Sequence, residues 1–419
     1  MNATKTIAAG IGLVGCLAFG FGWRDIQHGK LPPVRVIDSL FGVKAVSAAS
    51  PEQIFKQSYQ RILSSYNRPV KAQELKYAGM EGLMASLGDP HTVFFPPKDA
   101  QAFLEETHAN FFGVGARLQT DPLGAKVATV FENGPASAAG MKKGDLITTV
   151  DGKSVLGIDI DLIVDKIKGA EGSVVHLSVV RQGVPKPVQL TIKRARIVAP
   201  TAESQYLSDS GMGYLQVTSF AEPTMMQFNQ EVEKLERNPL KGLVIDLRGN
   251  PGGLLETAVD MLSMFVSDKV AVKMKFRDGH EEVAKTRDNL QHEFKYPIAI
   301  LMNEDSASAA EIFAGVLKDY GKVTLVGTHS YGKASVQNVF PMVDNSSAKI
   351  TIARYYLPFT PFFGRTVDQD GVFIKGGLEP DVKVDLDWSK VEPVLGEPAK
   401  DNQLQRAIEI LKEKGPAPK

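Results

Sequence analysis

Two serines, a lysine and a glutamine have the types and spacing to do chemistry together: Ser306 and Ser308 in NEDSASAAEIFAGVLKD, and Lys333 and Gln337 in YGKASVQ. A serine hydroxyl is a poor nucleophile until a neighbour takes its proton, and a lysine amine can take it once burial or nearby positive charge lowers its pKa. Lys333 follows Ser308 by 25 positions, and Gln337, four further on, could orient the amine. A serine at a helix start also has a plain structural use, because its hydroxyl caps free backbone N–H groups. The chemistry depends on whether the fold brings the lysine to the serine.

The flanking elements favour that. Residues 296–302 (YPIAILM) form an apolar run of strand length, and after the serines Ile312, Phe313, Val316 and Leu317 recur on one helical face until Gly321 stops it. A second apolar run, 323–326, precedes the lysine. Upstream, 213–220 reads as a strand, 224–235 as a helix and 242–247 (GLVIDL) as a buried strand that runs into Arg248-Gly249-Asn250-Pro251-Gly252-Gly253, with a helix from Leu254. A glycine turn between strand and helix invites a phosphate-binding reading, but neither GxGxxG nor GxxxxGK[ST] is present. The turn can instead aim backbone N–H groups at a developing oxyanion. The alternation of strand and helix from 242 to 326 predicts parallel βαβ units.

These motifs, in this order, resemble the carboxyl-terminal processing proteases, tail-specific serine endopeptidases of subfamily A in peptidase family S41, and the likeness extends over 51–412. The resemblance implies a multidomain α/β protein: an N-terminal helical segment, a PDZ domain and a crotonase-like α/β serine protease core. It implies Ser308 as nucleophile, Lys333 as general base and Gln337 as its support. It also implies an oxyanion hole from the amide of Ala309 and one of the turn amides, Gly252 or Gly253, a choice the sequence leaves open.

Residues 111–197 carry the PDZ likeness: short strands, glycine turns, a helix at 160–168 and the strand pair VVHLSVVR and PVQLTIKR. In its first stretch, Phe112, Gly113, Val114 and Gly115, the glycines let successive N–H groups converge on a peptide's terminal carboxylate, while the next strand edge accepts the peptide as an added strand. The expected divisions are 1–50, signal peptide or membrane anchor plus linker; 51–107, helical; 108–198, PDZ; 199–385, protease core; and 386–419, a C-terminal helical segment. In the turn LGDPHTVFFPP, His91 reads as structural, next to Asp-Pro. Phe359, Phe362 and Phe363 occupy a loop that departs from the family pattern, whereas Arg354 and GGLEPDV match it.

Composition narrows the partners. The chain has 419 residues, 43% of them apolar, and 48 basic against 48 acidic groups. That balance argues against a nucleic-acid ligand. A single cysteine, Cys16, leaves no internal disulfide and no Cys/His zinc set, so no metal or other cofactor is expected. Residues 6–23 hold no charge and follow Lys5, the pattern of a secretion signal, a lipoprotein leader (Leu13-Val14-Gly15-Cys16) or an uncleaved anchor. All three place the bulk of the chain outside the cytoplasm, in the periplasm or anchored at the inner membrane. The expected partners are protein or peptide substrates with free C-termini, with room for an adaptor or activator protein and for a homo-oligomer.

Two competing functions remain at this stage. A Ser-His-Asp hydrolase could use His329, but the GxSxG elbow is missing. A catalytically inert PDZ scaffold or adaptor would have no need of Ser308, Lys333, Gln337 and the glycine turn together.

Overall fold

A six-stranded sheet carries the protease core, in the spatial order Ala202–Leu207, Met212–Val217, Gly242–Asp246, Ile298–Met302, Thr324–Gly327 and Val382–Lys383. The first two strands pair antiparallel and every later pair is parallel. Strands 242–246 and 298–302 are buried throughout, which is why they read as apolar runs, the first closed by buried Asp246, instead of alternating ones. The computed structural model describes residues 50–368, 373–387 and 394–415.

Helices cover both faces of this sheet. Thr224–Glu236, Leu255–Ser263 and Ala309–Asp319 share one core with it, in which Phe313 meets the rings of Phe220, Phe228 and Phe265. On the other face Asn402–Lys414 buries Leu404, Ala407, Ile408 and Leu411 against Val244, Ala299, Leu301 and Val326. The N-cap of that last helix, Asp401, also accepts two bonds from Arg248, which in turn grips Asp246. The C-terminal helix is thereby tied to the start of the glycine turn through a buried guanidinium.

A second sheet lies beside the core. Its long strand Ser347–Tyr356 pairs with Ser335–Pro341 along one edge, and along the other with Val93–Phe95 and Val270–Phe276, the latter bordered by Glu281–Lys285. The pairing with Ser335–Pro341 brings the segment after Lys333 into register with the segment around Tyr355.

The PDZ-like part is an antiparallel sheet in the order Ala116–Asp121, Gly124–Val130, Leu146–Val150, Val174–Val180 and Val188–Lys193, with the helix Ile160–Ile167 burying Ile163 and Ile167 on it. Both ends of this part leave through one ribbon, Asn110–Gly113 paired with Ala195–Val198. The strand Ala116–Asp121 is the outer strand of its sheet.

Among the described residues, 50–80 belong to a compact unit of their own. Its helix Pro51–Ser65 opens on a capping box between Ser50 and Gln53, and the Tyr59 hydroxyl donates to the carbonyl of Ala72, where the next helix, Ala72–Ala85, begins. With Pro97–Thr107 the region expected to be helical, 51–107, holds three helices. The leader at 1–49, and with it the signal, lipoprotein or anchor question, lies outside the described residues. No helix among the described residues is long and apolar enough to cross a membrane.

Candidate active site

The serine turn is built between two sheet strands and a helix. Ile298–Met302 ends, and Asn303 to Ser308 fold back onto the glycine turn through three bonds. Ser306 Oγ donates to the Leu247 carbonyl at 2.8 Å, the Ala307 N–H to the Asn250 carbonyl at 2.9 Å, and the Gly249 N–H to Asn303 Oδ1 at 2.9 Å. Ser306 thus joins the two turns together with Ala307 and Asn303. Ser308 is left at the N-cap of Ala309–Asp319 with φ 56° and ψ −116°, a left-handed conformation that a side-chain-bearing residue adopts only where its surroundings over-determine it.

The glycine turn packs directly behind the serine. Gly252 has φ +99°, and a Cβ there would stand 2.8 Å from both the Ala309 nitrogen and the Ser308 Cβ, so no other residue fits. Its N–H is committed to Asn250 Oδ1 at 2.8 Å. Gly253 has φ +144°; a Cβ there would meet the Phe220 carbonyl, and among the described residues its own N–H has no acceptor.

Glu311, which the sequence does not mark as a site residue, links the serine to the lysine. Its carboxylate is 1% exposed and accepts four hydrogen bonds: from the N–H groups of Ser308 (2.7 Å), Gly332 (2.6 Å) and Lys333 (2.8 Å), and from Ser330 Oγ (2.5 Å). Burial pushes this carboxyl above the ordinary glutamate range, against the pull of those four donors. A signal was available, because Ser308-Ala-Ala-Glu311 has the S-x-x-E spacing of a capping box. Glu311 does reach back to the N-cap N–H, and the same carboxylate also collects the loop that carries the lysine.

Lys333 is half-buried, and its Nζ makes no hydrogen bond or ion pair among the described residues. Burial holds its pKa below that of an ordinary lysine, the Lys349 ammonium adds to the effect, and Glu311 and Asp89 oppose it. Lys349 is itself held over the rings of Phe95 and Phe103. Gln337, the expected support for the amine, directs its carboxamide N–H groups to Ser335 Oγ and Thr351 Oγ1 at 2.8 and 3.1 Å, and no hydrogen bond joins it to Lys333 among the described residues.

His91, expected to be structural, lies in the Asp89–Thr92 turn, which closes on itself through Asp89. It also stands at the site. His91 sits edge-on to Tyr331, and burial followed by the Lys333 charge holds its imidazole below the ordinary pKa. His329, the base of the competing triad, is stacked on Phe373 and donates from Nδ1 to the Ser330 carbonyl. Of the unusual phenylalanines, Phe363 is buried against Tyr355, whereas Phe359 and Phe362 are exposed; Asp319 holds their loop by accepting from the N–H groups of Phe359 and Thr360.

In the PDZ-like part the carbonyls of the Phe112-Gly113-Val114-Gly115 turn point into the fold: Phe112 accepts from Gly169, Val114 from Ala136 and Gly115 from Phe131. The N–H groups of Val114 and Gly115 have no backbone acceptor among the described residues. The turn sits beside the outer strand Ala116–Asp121.

An α/β core with a serine at a helix start, a half-buried lysine and a glycine turn, joined to a PDZ sheet, is the architecture of a PDZ-bearing serine peptidase. The sequence profile of peptidase family S41 matches residues 211–384, and that of the PDZ domain matches 126–181. The chain is 32% identical to the carboxy-terminal processing protease CtpA of Bacillus subtilis (strain 168) over 357 residues, 84% of this chain and 73% of the relative. It is also 32% identical to CtpB of the same organism, over 82% of this chain and 70% of the relative. In fold it is similar to an S41 protease chain of Bacteroides fragilis, with TM-score 0.52 and 17% identity over 80% of this chain and 90% of that one. The protein belongs to the carboxy-terminal processing serine peptidases of family S41.

Proposed function

We propose that the protein is a serine endopeptidase that captures the C-terminal tails of protein substrates in its PDZ domain and cleaves them with a Ser308–Lys333 dyad. The observation that carries the reading is the shared carboxylate of Glu311, which accepts the N–H groups of both residues while the Lys333 amine stays half-buried and, among the described residues, uncommitted. Neutral Lys333 Nζ takes the proton of Ser308 Oγ as the oxygen attacks the scissile carbonyl carbon. The oxyanion is met by the N–H groups of Ala309 and Gly253; the latter is preferred to Gly252, whose N–H is engaged by Asn250. The lysine then gives its proton to the departing amine, and a water activated by the same lysine hydrolyses the acyl-serine. Gln337 acts one step removed, by holding Thr351 and Ser335 beside the loop. The five expected divisions of the chain and its action outside the cytoplasm, on the membrane or in the periplasm, belong to the same proposal, as do an activating partner and self-association.

Two expected results test it. Only the neutral amine accepts the serine proton, so activity rises with pH through the lysine pKa, and burial together with Lys349 puts that midpoint below the ordinary lysine value of about 10.4. The pH dependence of kcat/KM measures this, and a profile flat from mildly acidic to alkaline pH refutes it.

The second concerns the tail. A free carboxylate on the N–H groups of Val114 and Gly115 gains one or two charge-assisted hydrogen bonds, worth about 1.5–3 kcal/mol each. The same peptide with an amidated C-terminus is therefore used about tenfold less well or worse, since 1.36 kcal/mol is a factor of ten. Equal kcat/KM for the free and amidated peptides, with the intact enzyme, counts against tail capture.

A further inference from the structure

We infer that Tyr355 is a positioning residue of the active site, its phenol O–H holding the carbonyl ends of the same two residues whose N–H ends Glu311 holds; the inference rests on the Ser308–Lys333 reading. The Tyr355 hydroxyl donates to the carbonyl of Lys333 and stands 3.3 Å from the carbonyl of Ser308. Glu311 accepts the N–H of Ser308 and the N–H of Lys333. Two residues remote in sequence are thus bridged twice, once through their donors and once through their acceptors.

Both carbonyls need the bridge for different reasons. Among the described residues no other donor reaches the Lys333 carbonyl. The Ser308 carbonyl already accepts from the Ile312 N–H at 2.9 Å, but Ser308 occupies the left-handed region, where a contact on each side of its peptide is what keeps it from relaxing. The phenol is itself immobile. Tyr355 is 1% exposed, its ring lies edge-on to Phe363 at 5.8 Å, and its N–H donates to the Ala334 carbonyl, one residue past the lysine. Burial, reinforced by the Glu311 charge, raises the phenol pKa well above the ordinary tyrosine value, so the O–H persists wherever the lysine is neutral. The strand Ser347–Tyr356 therefore carries a restraint on the dyad as well as sheet pairing.

The test compares Tyr355→Phe with Tyr355→p-aminophenylalanine in the full chain. The first keeps the ring and removes the donor; the second restores an N–H donor at the same place. On a free-tailed peptide, with competent serines counted by a fluorophosphonate label, Tyr355→Phe lowers kcat per labelled site by about 10- to 100-fold and leaves KM within about threefold. The amino variant recovers kcat to within about fivefold of the parent. A loss of packing alone would impair the two variants alike, and that result overturns the inference, as does a parental kcat per site in Tyr355→Phe. Should Tyr355→Phe fail to fold, the amino variant decides: parental turnover supports the donor, and a folded enzyme without turnover refutes it. Ser308→Ala and Lys333→Ala run alongside. If either keeps parental activity, the dyad itself is wrong; if both are inactive while Tyr355→Phe is normal, only the role of Tyr355 falls.

Discussion

On the proposed mechanism Ser308→Ala and Lys333→Ala each lower kcat by about 10⁴-fold or more, and the double variant is little worse than either alone, because a nucleophile and its base act as one unit. Lys333→Arg belongs with them. It keeps the positive charge, but guanidinium does not lose its proton near neutral pH, so it cannot accept one from Ser308 Oγ. His329→Ala, by contrast, stays near parental activity, since that imidazole is engaged by the Ser330 carbonyl and the Phe373 ring. Single-turnover cleavage of a free-tailed peptide, with folding followed by circular dichroism, separates these outcomes. Turnover by a folded Lys333→Arg enzyme would remove the lysine from the role of base, and loss of activity in His329→Ala with Lys333→Ala active would restore the triad.

Glu311→Gln is the next largest effect. The substitution keeps shape and volume but replaces one acceptor oxygen with an amide that itself donates, so at least two of the four donors now face N–H groups. Two hydrogen bonds to a charged group are worth about 1.5–3 kcal/mol each, and with 1.36 kcal/mol to the decade the expected fall in kcat is about 10²- to 10⁴-fold. The loss should appear in kcat and in fluorophosphonate labelling of Ser308, while peptide binding at the PDZ turn, measured separately by fluorescence anisotropy, is unchanged. A Glu311→Gln enzyme with parental kcat would mean that the carboxylate does not set the relation between serine and lysine.

Much of this molecule could be read from local pattern. The buried strands 242–246 and 298–302 announced themselves as apolar runs, because strands covered on both faces need no alternation. The helix Ala309–Asp319 followed from the recurrence of Ile312, Phe313, Val316 and Leu317 and the stop at Gly321, and the β and α order of the PDZ part followed from its glycine turns. Ser308 and Lys333 were recognisable as a candidate pair from residue type, and the family from ordered motifs.

Contacts between segments far apart in the chain were not legible. No spacing rule singled out Glu311 or Tyr355 as a site residue; each meets the serine and the lysine only because the long strand Ser347–Tyr356 and the Ser330–Lys333 loop fold onto the helix start. The preference for Gly253 over Gly252 depends on where the Asn250 side chain points, which no spacing rule specifies. His91 and Lys349 reach the lysine from a turn and a strand that pair across more than two hundred residues of sequence. The sequence by itself determined which elements form and which residue types are available for catalysis, because hydrophobic period and turn chemistry are local. Only the tertiary structure decided which buried acceptor serves which donor, since satisfying polar groups inside a core is a property of the packed whole.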